Sequence, residues 1–369
     1  MTLSRRKTLA LIGGGTVLAA GAASAGFLMT RTPQKALAPW DAAGGYDDPR
    51  MRALSYALLA PNPHNRQPWL AQLVGDDGLT IWRDETRDLP VTDPYARQLT
   101  IGMGCFLSLM RMAAAEEGFA VEEDLFPEGE TGPVAVCRFR SDAAEADPLF
   151  AYVMERRSHK EAFVDRTVGS EVDILRGYAQ IITDVDEVSR TAEIAEHAWR
   201  TEAATKDAWQ ESVDLLRIGK REINAMPDGI DAGGPMIETL ALLGLFTREA
   251  ASDLENPGTQ GAIEDTASAI IQAPAFAVQV TEGNTRIDQL AAGDQWLRLN
   301  LAAAGAGLAL RPVSQALQEY PEVAPQYEAI HALYAPEGGT VQMLGLLGYG
   351  EQTPRTPRWP IETRMVTGW

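Results

Sequence analysis

Two stretches of this chain lack a polar face, and they resemble each other. Gln98 to Glu117 is crowded with Gly, Ala, Leu and Met and closed by Gly118; Asp294 to Ala306 is its counterpart. A helix that is apolar all round must be buried on nearly every side. Setting Gly104 against Gly293 brings Ala113-Ala114-Ala115 onto Ala302-Ala303-Ala304, Gly118 onto Gly307 and Ala120 onto Ala309. Phe119 and Val121 then stand opposite Leu308 and Leu310. Small residues on such a helix let another helix approach closely. Each helix is also flanked by strand-like runs. The pattern reads as an internal duplication, two halves meeting about a quasi-twofold axis like a homodimer fused into one chain. The competing reading is that Ala-rich helices resemble one another by composition alone.

In chain order, residues 31–46 form a Pro/Gly-rich linker. Asp48 then caps a helix with Pro49 at its first position, and Met51, Leu54, Ala57 and Leu58 follow at helical spacing until Pro61. Leu70–Val74 and Leu79–Trp82 read as strands around a Gly75-Asp76-Asp77-Gly78 turn, and Val134–Arg140 as another. A long amphipathic helix is expected from about Val188 to Met226. Residues 227–261 are irregular at both ends around an apolar centre, Met236–Phe246, which suits a lid better than a core element. Phe276–Val280 and Val341–Leu347 are strands, and the stretch from Thr353 to Pro360 is rich in Pro and Arg.

Three prolines stiffen the segment Pro61-Asn62-Pro63-His64-Asn65-Arg66-Gln67-Pro68-Trp69, so it cannot be a helix interior or a central strand. Asn62, His64, Asn65 and Gln67 lie between them. Such a loop either presents donors and acceptors to a planar polar ligand at little ordering cost, or only connects a helix to a strand. The second polar signal is Arg156-Arg157-Ser158-His159-Lys160.

At 369 residues with 45% hydrophobic and 22% charged residues, the chain is long and apolar enough for a substantial core. A formal charge of −19 argues against nucleic acid and anionic membrane surfaces as partners, because both repel a polyanion. Cys105 and Cys137 are the only cysteines and read as buried free thiols, with no zinc-ligand spacing. Residues 1–30 read as a twin-arginine export signal: Arg5-Arg6 precede a mildly apolar, Gly-rich run, and Ala23-Ser24-Ala25 supplies a cleavage pattern. An ordinary secretory signal or an uncleaved anchor are the alternatives. Twin-arginine export carries folded proteins, often ones that capture a cofactor first, so the expected location is the periplasm.

Taken together, the Pro61–Trp69 loop, the Arg156–Lys160 segment and the ending Gly348-Tyr349-Gly350 … Pro354-Arg355-Thr356-Pro357-Arg358-Trp359-Pro360 resemble signatures of FMN-dependent nitroreductases, most closely the Acg-type branch, in which a nitroreductase dimer is condensed into one chain. The likeness spans Asp47 to Glu362. It implies an α+β nitroreductase-like fold: two homologous halves, 47–147 and 148–362, each a mainly antiparallel sheet packed by helices, with a tail over 363–369. It also implies a flavin site built between the halves. Arg156, Arg157, Ser158, Lys160 and Arg358 would hold the ribityl phosphate, as guanidinium forks and an ammonium suit phosphate oxygens. Pro61, Asn62, Pro63, His64, Asn65 and Gln67 would lie at the isoalloxazine ring. Asn62 stands where the family usually has Ser, and Arg66 would add a cation beside the flavin. The basic segment occurs only in the second half and the Asn-x-Gln-Pro-Trp loop only in the first, which gives one FMN per chain.

The flavin carries the chemistry, so no catalytic side chain is assigned. The reaction implied is two-electron reduction of a flat acceptor, a nitroaromatic or quinone. No Gly-x-Gly-x-x-Gly follows a strand, and NAD(P)H is scarce outside the cytoplasm, so a quinol or redox protein is the expected donor. The alternative is a protein that binds FMN without turnover. Because a fused dimer has already buried the interface, a monomer is expected.

Overall fold

The computed structural model describes residues 30–141 and 144–367. The export signal read over residues 1–30 lies outside them, apart from Thr30. In chain order the first part comprises helices α1 (Gln34–Ala42) and α2 (Pro49–Ala57), strands β1 (Trp69–Val74) and β2 (Gly78–Arg83), helix α3 (Arg97–Ala115), and strands β3 (Phe119–Leu125) and β4 (Ala135–Ser141). There follow β5 (Gln180–Ile182), α4 (Val185–Ala204), α5 (Lys206–Asp214), β6 (Leu216–Ile218), α6 (Gly219–Ala225), β7 (Ile230–Ala232), α7 (Pro235–Leu242), α8 (Arg248–Ser252) and α9 (Pro257–Ile271). The chain then runs through β8 (Ala275–Thr281), α10 (Arg286–Gly305), β9 (Ala309–Pro312), α11 (Ala324–Tyr334) and β10 (Thr340–Gly348).

The strands form two four-stranded sheets, β1-β2-β4-β3 and β5-β8-β10-β9, antiparallel throughout. Counted within its own sheet, each has the order first-second-fourth-third. In each, the apolar helix joins the second strand to the third: α3 between β2 and β3, α10 between β8 and β9. The repeat legible in the two helices thus extends to the strands around them. The halves differ in what separates their first two strands. A tight turn from Val74 to Gly78 serves the first sheet, whereas residues 183–274 with six helices are inserted between β5 and β8.

Helices α3 and α10 cross at the two glycines that the sequence sets in register. A Cβ on Gly293 would stand 2.1 Å from the Ile101 carbonyl oxygen, and one on Gly104 would stand 2.2 Å from that of Leu290. Cys105 Sγ meets the Gly293 carbonyl oxygen at 3.1 Å, and burial pushes the thiol of Cys105, like that of Cys137, well above its ordinary pKa. The main core is continuous across the halves. It runs from Trp40, Trp69 and Phe106, which stacks on Trp69 at 4.8 Å, to Trp296, Leu310 and Leu347.

Three sequence expectations need correction. Residues 31–46 are no linker, because α1 forms there and buries Ala36, Pro39 and Trp40. The helix expected from Val188 to Met226 is broken, since Thr205 is extended at φ −84°, ψ 104°, and Gly219 turns the chain at φ +75°. Strand β6 occupies part of the interval and pairs in parallel with β7. The second apolar helix starts at Arg286 rather than Asp294, because Thr285 and Asp288 make a reciprocal capping box. The cap at Asp48, with its side chain accepting from Arg50 N, is as expected. Of the tail, residues 364–366 lie along β1, with Ala71 N bonded to Arg364 O and Val366 N to Ala71 O, both at 2.9 Å.

Candidate functional site

The loop that follows α2 is held in an unusual backbone path. His64, Asn65 and Gln67 all have positive φ, at 45°, 51° and 51°. Asn and His tolerate this region better than most side chains, while Gln has no such advantage. The conformation persists because polar groups over-determine it. Asn62 Oδ1 accepts from Gln67 N at 2.7 Å, and Asn62 Nδ2 donates to Ala60 O at 3.2 Å. Gln67, fully buried, donates from Nε2 to Pro227 O at 2.6 Å and accepts at Oε1 from Trp359 N at 2.9 Å. Asn65 donates to Pro357 O at 3.1 Å and accepts from Arg358 Nη1 at 2.7 Å.

The amides read as flavin contacts therefore shape the loop and clamp it to residues 227 and 357–359. What the loop offers a ligand is chiefly its backbone and His64. That ring is half-buried and its pKa is lowered, first by burial and then by Arg66, with Glu211 opposing. Pro61 is buried and Pro63 half-buried beneath it. Arg66 donates to Arg87 O at 2.9 Å and Thr86 O at 3.3 Å and faces Asp228 at 3.7 Å, so its charge is partnered within the fold.

The basic segment runs extended alongside. Arg156 is buried and donates from Nη2 to Leu59 O at 2.9 Å, while its Nη1 has no partner. Arg358, equally buried, donates from Nε to Leu58 O at 2.7 Å and from Nη2 to Leu59 O and Ala60 O at 3.2 and 3.3 Å. These carbonyls close the C-terminal end of α2, where unpaired oxygens and the helix dipole present negative potential. Arg157 donates to Met154 O and Arg156 O, leaves Nε buried without a partner, and lies 4.8 Å over the Trp40 ring. Arg355 and Arg358 approach the same ring at 5.4 and 5.8 Å.

Among the described residues, no carboxylate lies within ion-pair distance of Arg156, Arg157 or Arg358. Burial, then mutual repulsion, pulls Arg156 down to about 10. The same two causes, with Asp231 opposing, pull Arg358 down to about 9. Three guanidiniums are thus gathered without a carboxylate, two of them with buried N–H groups that lack a partner among the described residues, and an anion with several acceptor oxygens is the chemistry that would satisfy them.

The remaining predicted residues are dispersed. Ser158 is half-buried with no side-chain hydrogen bond among the described residues, and Lys160 is exposed with Nζ at 2.5 Å from Asp231. His159 turns the other way, against Phe163 and Gly350.

Residues 227–229 lie against the loop. Asp228 is buried among Arg66, Arg87 and Arg217, with Arg87 Nη1 at 2.5 Å and Arg217 Nη2 at 2.9 Å. Gly229 N donates to Asn65 O at 3.2 Å. Asp228, Asp231 and Trp40 went unnoticed in the sequence. The lone tryptophan in a supposed linker was the available clue for Trp40; neither aspartate had one.

The fold is thus α+β with two like sheets, and a buried arginine cluster stands beside a stiff loop. No family model matches the chain. It is 25% identical over 332 residues, 86% of this chain and 90% of the relative, to "Putative NAD(P)H nitroreductase Rv3131" of Mycobacterium tuberculosis. It is also 33% identical over 75 residues, 20% of this chain and 22% of the relative, to "Putative NAD(P)H nitroreductase acg" of the same organism. Similarity along most of both chains supports the nitroreductase superfamily. Among solved structures, the FMN-dependent nitroreductase NfnB from Mycobacterium smegmatis, in complex with NADPH, overlaps 58% of this chain and 95% of its own at TM-score 0.35 and 18% identity. A nitroreductase-like family protein from Bacillus cereus overlaps 61% and 98% at TM-score 0.34 and 13% identity. Overlaps that loose carry no weight beside the sequence relationship.

Proposed function

We propose that this chain is an FMN-dependent oxidoreductase of nitroreductase type, reducing a flat acceptor such as a nitroaromatic or quinone. The observation that carries the reading is the pair Arg156 and Arg358, buried without a carboxylate at the end of α2 and tied to the stiff loop through Asn65. The phosphate end of FMN fits this cluster, because the unpartnered Nη1 of Arg156 and Nε of Arg157 ask for an acceptor. At the ring end the fit is through loop backbone and His64 rather than the Asn and Gln amides. Bound flavin would supply the two-electron chemistry, and the residues around it would bind, orient and exclude water. With one arginine cluster and one such loop among the described residues, the expected content is one FMN per chain.

The like strand orders and the Gly104–Gly293 crossing support a fused pseudo-dimer of Acg type that is monomeric in solution. Arg5-Arg6 and the apolar run after it support export to the periplasm by the twin-arginine route, with a quinol or redox protein as donor. A second reading, FMN held without turnover by NAD(P)H, is favoured by the buried Asp228 clamp that fastens residues 227–229 against the loop.

The test is the absorption spectrum of the isolated protein with its flavin-to-chain ratio, followed by anaerobic stopped-flow mixing with NADPH, NADH and a quinol. Bleaching by any donor at a useful rate supports the reductase. No bleaching by any of them leaves FMN binding alone. A protein that stays colourless with added FMN ends both readings, and a ratio near two refutes the single site.

A further inference from the structure

Helix α7 is built inside out. Its sequence is Pro-Met-Ile-Glu-Thr-Leu-Ala-Leu, and the one residue it buries is the carboxylate, Glu238. That side chain accepts from Arg31 Nη1 at 3.0 Å and from Lys220 N at 3.0 Å. The apolar residues face outward instead: Met236 is 72% exposed, Leu242 76%, and, in the turn that follows, Leu243 67% and Leu245 64%. A soluble surface scatters such residues singly, and a contiguous group of them marks a contact surface.

Two further observations say what the surface meets. The chain enters the described fold at this very place, since Lys220 Nζ donates to Thr30 O at 2.8 Å and Arg31 pairs with the Glu238 buried under α7. Cleavage after Ala25 would still leave the apolar Gly26-Phe27-Leu28-Met29 in sequence directly before Thr30. The described fold therefore begins, after an apolar stretch of sequence, beside a hydrophobic helix face. The neighbouring helix α6 adds Lys220 and the exposed Arg221, and Lys35 is exposed on α1, although the chain as a whole carries a charge of −19. An apolar tip beside cations is the arrangement that partitions into the headgroup region of a bilayer.

We infer that α7 and the turn through Leu245 dock on a phospholipid surface, next to the point where Thr30 and Arg31 join the described fold. The segment leading into α7 also lies against the Pro61–Trp69 loop, through Pro227 O on Gln67 and Gly229 N on Asn65, and reaches the basic segment through Asp231 on Lys160. Docking there puts this flank of the candidate site against the membrane, the phase that dissolves quinols. The docking surface stands independently of flavin binding, so its test reads lipid contact alone.

In the full chain Leu242 is replaced, Leu242→Cys, and labelled with an environment-sensitive nitrobenzoxadiazole dye; Cys105 and Cys137 are buried and take no label. A control carries the dye through Ile174→Cys, at a residue 62% exposed outside this surface. Vesicles of phosphatidylcholine and phosphatidylglycerol, with and without nitroxide-labelled lipid, are then added. Dye at position 242 should brighten roughly twofold or more and be quenched by the nitroxide, while dye at 174 should do neither. Protein that floats with vesicles while dye 242 is unchanged is held by its N-terminal run alone, and the inference fails. It fails equally if dye 242 is already shielded without lipid, covered by the chain's own first residues. Brightening with protein concentration in the absence of vesicles makes a second copy the occupant and also overturns it.

Discussion

Gly104 and Gly293 touch backbone to backbone where α3 crosses α10, with the Gly104 Cα only 2.8 Å from the position a Gly293 Cβ would take. No side chain stands between them that could yield. The equivalent positions of the two halves are thus each other's partner, as expected of a point on a quasi-twofold axis.

Gly293→Ala should therefore destabilise the fold by about 3 kcal/mol or more, at the upper end of overpacking effects, because backbone must move. Gly261→Ala, inside α9 with nothing within 4 Å of the new methyl, should stabilise by about 0.5–1 kcal/mol. Urea denaturation of both variants checks the opposite signs. Equal effects would show that the helix crossing is looser than described.

Removing one charge from the segment against the loop should loosen it. Asp228→Asn leaves Arg66, Arg87 and Arg217 buried around a neutral amide, and breaking a buried pair in this way costs about 3–5 kcal/mol. The loss should appear as faster limited proteolysis within residues 227–261 and a lower urea midpoint. Unchanged cleavage there would mean that the clamp is not what holds the segment.

Glu202 makes a pH dependence. It is buried, Gln318 Nε2 donates to it at 2.7 Å, and burial pushes its carboxyl up to about 7 from an ordinary 4.5. Between those values the folded protein keeps a proton that the unfolded chain has released. Stability therefore falls as pH rises through that window and is level above it. Glu202→Gln removes this contribution, so the variant should gain about 1–3 kcal/mol on the parent between about pH 5 and pH 8. Parallel pH profiles of the urea midpoint would rule the effect out.

Arg156 separates a binding role from a structural one. A buried cation with an unpartnered N–H does little for the fold, so Arg156→Met should leave the flavin-free protein as stable or slightly more so. Flavin affinity should fall by roughly tenfold to a hundredfold, the value of one charge-assisted contact. Fluorescence titration with FMN alongside thermal melts gives both numbers. A loss of stability with affinity unchanged would make the residue a packing element.

The parts of the fold that could be read from sequence are those set by local chemistry. The Asp48-Pro49 cap, the Gly75–Gly78 turn and the period of the apolar helices are each decided within a few residues, and all appear in place. The repeat was legible because Gly104 and Gly293 have to be small for the same reason. What failed depended on distant partners. Residues 34–42 become a helix because Trp40 finds Thr356 O and three guanidiniums far along the chain. The loop was recognisable as stiff and polar, but nothing local says that Gln67 faces Pro227 and Trp359 rather than a ligand. Arg66 likewise gave no sign that Asp228 would claim it.

The bonds from residues 356–366 back to Ala36, Trp40, Leu58, Asn65, Gln67 and Ala71 set an order on maturation. Ribosomal synthesis delivers α1, α2 and the stiff loop early, yet Arg358 and Trp359 reach them only after some three hundred further residues have emerged. Until then Gln67 lacks its backbone donor and the Leu58 and Ala60 carbonyls lack the Arg358 guanidinium. The arginine cluster and its loop are therefore completed late, once translation has passed Trp359.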